Sequence, residues 1–326
     1  MSLPADAVLV LLDPLPSLKP AKDTSLGLIV EAQRRGLPCY AAQLSDLSVV
    51  DGDPRVAAQA LRVDLDATPC YRVEPAQSWP LEGFRWILMR KDPPVDPRYI
   101  WATQILELAG RRGACVLNAP DALRDWNEKL AISLFADLCA PTITSSDGSA
   151  LRAFVQQQGE AVLKPLDGMG GRSIFRLRAD DPNLSVVLET LTDGGTQPAM
   201  AQRYLPQIAD GDKRILMIHG EPWPRLLARI PAAGESRGNL AAGGRGVVRD
   251  LGEADRRIAA RVGPWLRERG VVFAGLDVIG EHLTEINVTS PTCVREIEAA
   301  DGSNVSGALW EAFIAAAQAG QPAADR

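Results

Sequence analysis

Apolar positions along this chain keep two different periods, and the place where they change divides it. Residues 7–12 form an unbroken apolar run of strand length. After Asp23 or Thr24, either of which can cap, Leu26, Ile29, Val30 and Ala32 recur at helical spacing until Gly36 stops them. Residues 37–44 read as a second strand and 84–89 as a buried one. Asp96-Pro97 opens a helix, proline sitting where its missing N–H costs nothing, and the helix ends near Gly113 before a strand at 114–117. Between these, 49–73 alternates apolar and polar residues over short stretches and predicts one or two exposed strands. Strands alternating with helices predict an α/β N-terminal domain over residues 1–122, a parallel sheet with helices, whose functional positions lie at the strand C-termini. Asp13-Pro14, Arg90-Lys91-Asp92 and Asn118 stand there.

Past residue 122 short strands take over. Asn127 caps a helix reaching 138 and Asp147 another reaching 158. Strands follow at 161–164, 173–177, 200–205, 214–219 and 225–230, with a helix at 182–191 and a turn at Glu221-Pro222-Trp223-Pro224. A helix at 253–269 precedes two apolar runs, 271–279 and 283–288, joined tightly around Glu281. A helix at 305–319 and a frayed tail at 320–326 close the chain. This second half is expected to be α+β.

Composition narrows the class. In 326 residues, 46% hydrophobic and 23% charged, there is material for two or three folded domains. No apolar run reaches the ~18 residues of a membrane span, and the run at 8–12 has no basic leader, so no membrane partner and a cytoplasmic location are expected. Cys39, Cys70, Cys115, Cys139 and Cys293 contain no C-x-x-C pair and read as reduced thiols; with two histidines in the chain, a zinc centre and a His-centred triad are both disfavoured. A formal net charge of −6 argues against a nucleic-acid partner, which calls for a basic stripe. An anionic small substrate must then be met by local lysines and arginines.

The hairpin at 271–288 carries the first candidate chemistry. Side chains alternate faces along a strand, so Glu285 and Asn287 share one, and a connection centred on Glu281 sets Asp277 directly across from Glu285. Opposed Cβ atoms lie about 4.5–5.5 Å apart, close enough for one cation to join both carboxylates. Oxygen donors without His or Cys suit Mg²⁺, which completes its shell with water and substrate phosphates; a polar hairpin face bathed in solvent is the alternative. Lys164-Pro165-Leu166-Asp167-Gly168-Met169-Gly170-Gly171 places a lysine at a strand end before a glycine loop able to press N–H groups on phosphate. Its order is neither that of a Walker A loop nor that of a dinucleotide fingerprint, and alone it also reads as a plain turn.

Lys129, in the first turn of its helix, opposes the helix dipole, which a bound anion would explain; alone it reads as a surface lysine paired with Glu128 or Asp125. Arg214 and Arg229, on neighbouring strands, could aim their planar donor forks at one anion or form surface salt bridges. Residues 231–246 hold five glycines, Arg237 and Arg245, and little to bury, which predicts a mobile lid over charged substrate.

Together, Lys129, Lys164 with its glycine loop, Gln202-Arg203-Tyr204-Leu205, Asp277 and Glu285-x-Asn287 resemble the nucleotide site of the ATP-grasp ligases. The strings Met89-Arg90-Lys91-Asp92-Pro93-Pro94, Arg237-Gly238-Asn239-Leu240 with the glycines after it, and Leu283-Thr284-Glu285-Ile286-Asn287-Val288-Thr289-Ser290-Pro291-Thr292-Cys293 narrow the likeness to the bacterial glutathione synthetases, over residues 8–305. The resemblance implies α+β ATP-grasp subdomains, a central lid subdomain at 123–203 and a C-terminal one at 204–326 with the metal hairpin and mobile loop. It implies ATP as co-substrate, Mg²⁺ or Mn²⁺, γ-glutamylcysteine and glycine as substrates, and a homo-oligomer, a tetramer.

By the same resemblance Lys129, Lys164, Gly168, Met169, Gly170, Gly171, Gln202, Arg203, Tyr204, Leu205 and Asp212 would hold nucleotide, and Asp277, Glu285 and Asn287 metal. Arg214 and Arg229 would be the catalytic pair steadying an acyl phosphate and the oxyanion after it. Arg90 with the Lys22-Asp23-Thr24-Ser25 loop, Arg237, Asn239, Ser290 and Thr292 would face the other substrates. Two rivals share parts of the pattern: another ATP-grasp carboxylate–amine ligase, which would have the lysines and acids without the Arg-Lys-Asp-Pro-Pro string or this lid, and a non-catalytic ATP-binding regulatory protein. Residues 51–80 and the tail look least family-like.

Overall fold

The computed structural model describes residues 3–235, 237–238 and 243–319, so the tail at 320–326 and Asn239 lie outside the described residues. The first part runs β1 (Val8–Leu11), α1 (Thr24–Arg34), β2 (Cys39–Ala42), β3 (Leu47–Val50), β4 (Asp53–Val63), β5 (Tyr71–Val73), β6 (Gln77–Pro80), β7 (Trp86–Met89), α2 (Pro97–Arg111) and β8 (Cys115–Leu117). Both helices start where a carboxylate satisfies a free N–H: Asp23 accepts from Leu26 at 2.9 Å and Asp96 from Tyr99 at 3.0 Å. The strands β2, β1, β7 and β8 are parallel neighbours. β1 is apolar throughout because both its faces are covered, Leu9 and Leu11 packing in the α2 core and Val8 and Val10 in the α1 core.

The span 49–73 differs from expectation. One long strand, β4, pairs antiparallel with β2, β3, β5 and β6, extending the sheet to eight strands. The sheet is therefore parallel only in its centre. β4 buries Val56 and Ala58 in one core and Leu61 and Val63, on its opposite face, in the other, with exposed residues among them, which is why the sequence reads as exposed there.

The middle of the chain contains α3 (Pro120–Asp125), a 3₁₀ segment Leu130–Leu138, β9 (Thr142–Ser145), α4 (Gly148–Gln158), β10 (Glu160–Pro165), β11 (Phe175–Arg178), α5 (Leu184–Thr192) and β12 (Ala199–Arg203). Its four strands form an antiparallel sheet, β11-β10-β12-β9, with α4 and α5 closing a core of their own around Leu151, Val155 and Leu188. The last part has β13 (Asp212–Ile218), β14 (Glu221–Ile230), β15 (Arg245–Asp250), α6 (Glu253–Glu268), β16 (Phe273–Ile279), β17 (His282–Asn287), α7 (Val294–Asp301) and α8 (Val305–Ala319). Its sheet is antiparallel, β15-β14-β13-β16-β17.

Glu221 to Pro224 is strand, not the expected turn, which falls at His219 and Gly220, both at positive φ. The prolines are tolerated because the β13–β14 register shifts there and the ladder does not need their N–H groups. One face of this sheet, with Ile215, Met217, Leu276 and Val278, packs on Ile258, Val262 and Leu266 of α6. The opposite face carries Arg214, Arg229 and Asp277 beside Leu216, Leu227 and Phe273, which pack in the core of α7 and α8. Helix α8 returns to the first part, where Trp310 Nε1 donates to Leu28 O at 2.8 Å. Asn118, at the end of β8, clasps the hairpin at 271–288 with all four of its bonds: from Val272 and Phe273 N–H, and to Phe273 and Val288 carbonyls. No helix among the described residues is long and apolar enough to cross a membrane.

Candidate active site

The charged residues of that face of the five-stranded sheet floor a cleft of about 580 Å³, a volume suited to a nucleotide-sized ligand. Arg214 on β13, Asp277 on β16 and Glu285 on β17 stand in one row across three strands, each directly opposite the next. The pairing of Asp277 with Glu285 is the one a hairpin centred on Glu281 predicts, and the register slips only beyond it, where Val278 meets Leu283. Gly275 makes room for the row: a Cβ there would stand 2.7 Å from Arg214 Cδ.

Asp277 is gripped from two sides. Arg214 Nε and Nη2 donate to Oδ1 and Oδ2 at 2.5 and 3.1 Å, and Arg229 Nη2 lies 2.9 Å from Oδ2. Burial alone would push this carboxyl up; the two guanidiniums outweigh it and hold it well below the usual carboxylate range. Arg229 also reaches Asp212 Oδ2 at 2.5 Å. Asp212 Oδ1 is buried without a protein donor, and burial pushes this carboxyl up to about 7. Asp212 thus offers an acceptor directly at the cleft.

Two lysines form the facing wall. Asn127 caps the 3₁₀ segment, its Oδ1 accepting from Lys129 and Leu130 N–H. The Lys129 ammonium bends back to Gly168 O at 2.5 Å and lies 3.6 Å from Glu285 Oε1, so it is a buried group inside the site and not a surface lysine. Lys164, at the end of β10, donates to Thr284 O at 3.3 Å. Burial lowers its pKa, Glu285 opposes that, and Lys129 adds to it. Two buried ammonium groups on one wall repel unless an anion joins them. Gly168, Met169, Gly170 and Gly171 line the cleft beside them, Gly170 and Gly171 at φ of 64° and 79° that suit glycine. Lys164→Ala is expected to keep the fold and to lower kcat about a hundredfold. Circular dichroism and steady-state kinetics check it; near-normal turnover removes Lys164 from the phosphate site.

At the far end Gln202, Arg203, Tyr204 and Leu205 line the cleft as β12 leaves its sheet. The N–H groups of Arg203 and Tyr204 are already engaged, by Pro141 O at 2.9 Å and Glu160 O at 3.1 Å. Pro141 has no N–H to return, so the Arg203 carbonyl lacks its ladder donor and is available to a purine amino group.

The loop at 231–246 is shorter than expected. Arg245 and Gly246 already pair with Ile230 and Arg229, so the connection spans 231–244. Arg237 Nη1 donates to Gly171 O at 3.0 Å, tying this loop to the glycine loop. Gly238 lies so close over Asp212 and Arg229 that a Cβ would meet Arg229 O at 2.5 Å.

Ser290 and Thr292 reach the cleft just beyond β17. Arg90 does not. It is buried behind the wall, donating from Nε to Ser25 Oγ at 3.1 Å and from Nη2 to Pro291 O at 2.8 Å, with Phe273 5.7 Å away. A strand-end arginine whose donors find neighbouring oxygens braces the wall, and the groups exposed at that end are Lys19, Lys22, Asp23 and Asp92. Glu128, read from the sequence only as a counter-ion for Lys129, bonds instead to Val288 and Thr289. No periodicity marks it; the sole hint is a second charge beside a capping asparagine.

Asp277, Glu285 and Asn287 fit a hard divalent cation. Asn287 Nδ2 donates to Gly275 O at 3.2 Å, which leaves the amide oxygen as its free end. Two carboxylates and one amide oxygen, with no three-residue cluster of His, Cys, Asp or Glu among the described residues, match the sparse protein shell that Mg²⁺ takes.

Comparisons with known proteins agree with this geometry. Residues 7–124 match the family model "Prokaryotic glutathione synthetase, N-terminal domain", and 128–302 match "Prokaryotic glutathione synthetase, ATP-grasp domain". The chain is 54% identical over 304 residues to a glutathione synthetase of Pseudomonas syringae pv. tomato, covering 93% of this chain and 95% of that one. It is 48% identical over 309 residues to that of Escherichia coli O127:H6, covering 95% and 98%. Among solved structures, D-cycloserine synthetase DcsG superposes with a TM-score of 0.66 at 14% identity over 96% of this chain and 100% of that one. The ATP-grasp ligase PsnB, complexed with minimal precursor, Mg and ADP, gives 0.62 at 16% identity over 97% and 100%. These two likenesses show the ATP-grasp fold.

Proposed function

Because this chain belongs to the prokaryotic glutathione synthetase family, we propose that the cleft joins γ-glutamylcysteine to glycine at the expense of ATP, giving glutathione, ADP and phosphate. The row Arg214, Asp277 and Glu285, facing Lys129 and Lys164, is the observation that carries the residue assignments. Neither rival is favoured by relatives of this identity and coverage. The units that act are taken as 1–122, 123–203 and 204–326.

A carboxylate is a poor electrophile, and ATP removes that obstacle. An oxygen of the cysteinyl carboxylate bonds to the γ-phosphorus as the bond to the bridging β–γ oxygen breaks and ADP leaves. The glycine amine then attacks the carbonyl carbon, loses a proton, and phosphate leaves with one oxygen of the original carboxylate. Lys129, Lys164 and the glycine loop hold the phosphates, Arg203 and Leu205 backbone groups take the purine edge, and Asp212 accepts from the nucleotide. Asp277, Glu285 and Asn287 would hold Mg²⁺, with Mn²⁺ as a second candidate; when bound, the metal offsets phosphate charge. Arg214 and Arg229 stabilise negative charge on the acyl phosphate and the tetrahedral oxyanion. Ser290 and Thr292 face glycine, and Lys22 with Asp92 replaces Arg90 at the γ-glutamyl end.

Water would destroy the acyl phosphate, which gives the 231–244 connection its purpose. Limited proteolysis should cut there in the free protein and be suppressed by Mg-ATP with dipeptide; cutting that persists unchanged counts against closure. The working form is taken as a homo-oligomer, a tetramer, for which the 60% exposed Trp101 offers apolar contact surface. The reaction is tested with γ-glutamylcysteine labelled with ¹⁸O in its cysteinyl carboxylate. One labelled oxygen should appear in phosphate for each glutathione formed; phosphate without label, or AMP as product, contradicts the route.

A further inference from the structure

Three consecutive residues, Asn127, Glu128 and Lys129, run between the two walls of the cleft. The outer two hold the glycine loop: Asn127 Nδ2 donates to Leu166 O at 3.0 Å, and Lys129 Nζ donates to Gly168 O. Glu128 turns the other way. Strand β17 is the edge of its sheet, so its outward N–H groups have no further strand to bond. The Glu128 carbonyl takes Ile286 N–H at 3.0 Å. One carboxylate oxygen, Oε1, takes Val288 N–H at 2.8 Å, Thr289 N–H at 2.9 Å and the Thr289 hydroxyl at 2.8 Å. Glu285 and Asn287 alternate with these donors along the strand and point into the cleft.

We infer that Glu128 is a positioning residue for phosphoryl transfer, a carboxylate clamp that fixes the edge of β17, and with it Glu285 and Asn287, at a set separation from Lys129 and the glycine loop. Nothing else among the described contacts joins both elements through adjacent residues so directly. Three donors from two consecutive residues at the strand edge converge on the single oxygen Oε1, which makes the clamp stiff. The inference rests on the metal and nucleotide reading of the cleft.

The test is the gain in ADP affinity that Mg²⁺ confers, measured by calorimetry, beside steady-state kinetics. In Glu128→Ala the gain should shrink about tenfold and kcat fall about a hundredfold, with KM for γ-glutamylcysteine little changed. Glu128→Gln keeps an acceptor oxygen and should recover most of both. A structural role alone predicts lower melting with Mg²⁺ dependence intact, and Gln no better than Ala in catalysis. If Glu128→Ala does not fold, Thr289→Val decides by removing one donor from Oε1: half-saturation by Mg²⁺ should rise about threefold, and no change overturns the clamp. Absence of any Mg²⁺ effect in the unaltered protein removes the site reading and the clamp together. A full effect in folded Glu128→Ala removes the clamp alone.

Discussion

Glu285→Gln is expected to leave the protein folded and to lower turnover about a thousandfold. The side chain is 21% exposed, and its attraction to Lys129, 3.6 Å away, and to Lys164 is offset by its repulsion of the buried Glu128 and Asp212, so exchanging its charge for an amide disturbs little of the fold. Its melting temperature should stay within about 2 °C of the unaltered protein. The site loses much more. Glu285 is the carboxylate that Asp277 faces across the hairpin, and its charge opposes the repulsion between Lys129 and Lys164. Without it the donor set keeps one anionic member, already shared with two arginines. Steady-state glutathione formation and a thermal melt check both halves; near-normal turnover would sink the metal assignment.

Asp277→Asn should fail differently, losing turnover and stability together. Both guanidiniums on Asp277 are buried, and removing its charge leaves them poorly compensated. Breaking such a buried pair costs about 3–5 kcal/mol, which for a chain of this size lowers the melting temperature by about 4–7 °C. The pH dependence follows from the sign of the shift. Asp277 titrates below the ordinary 3.8, so its stabilisation is fully present above that value and is lost as pH falls through the lower folded one. The part of the gap that Asp277 contributes should therefore persist from about pH 5 to 8 and close only in acid, while the titration of neighbouring Asp212, which Asp277 helps to push up to about 7, changes the gap only in part. A gap that closes completely near neutrality contradicts the pairing.

The hairpin was legible because a period of two and a tight connection leave few registers; Asp277 does face Glu285, through a register shift at Thr284 that counting does not reveal. Caps were legible for the same local reason: Asp23, Asp96 and Asn127 each satisfy N–H groups two or three residues on. Contacts between distant residues were not. Nothing local tells Arg214 to lie across Gly275 onto Asp277, 63 residues away, or Arg90 to brace Pro291. Strand β4 was understated because its buried residues change faces midway, Val56 and Ala58 to one side and Leu61 and Val63 to the other, so no single alternation runs through it. Glycines and arginines in 231–246 mark a loop, but its last two residues belong to β15, whose partner is set by the sheet and not by its own sequence.

The measurement closest to the central claim is ADP release from Mg-ATP and γ-glutamylcysteine, with and without glycine, alongside mass analysis of the product. The account predicts release that depends on glycine, one ADP for each glutathione. Release without glutathione would contradict the assigned acceptor, and ATP that stays bound without turnover would contradict the ligase itself.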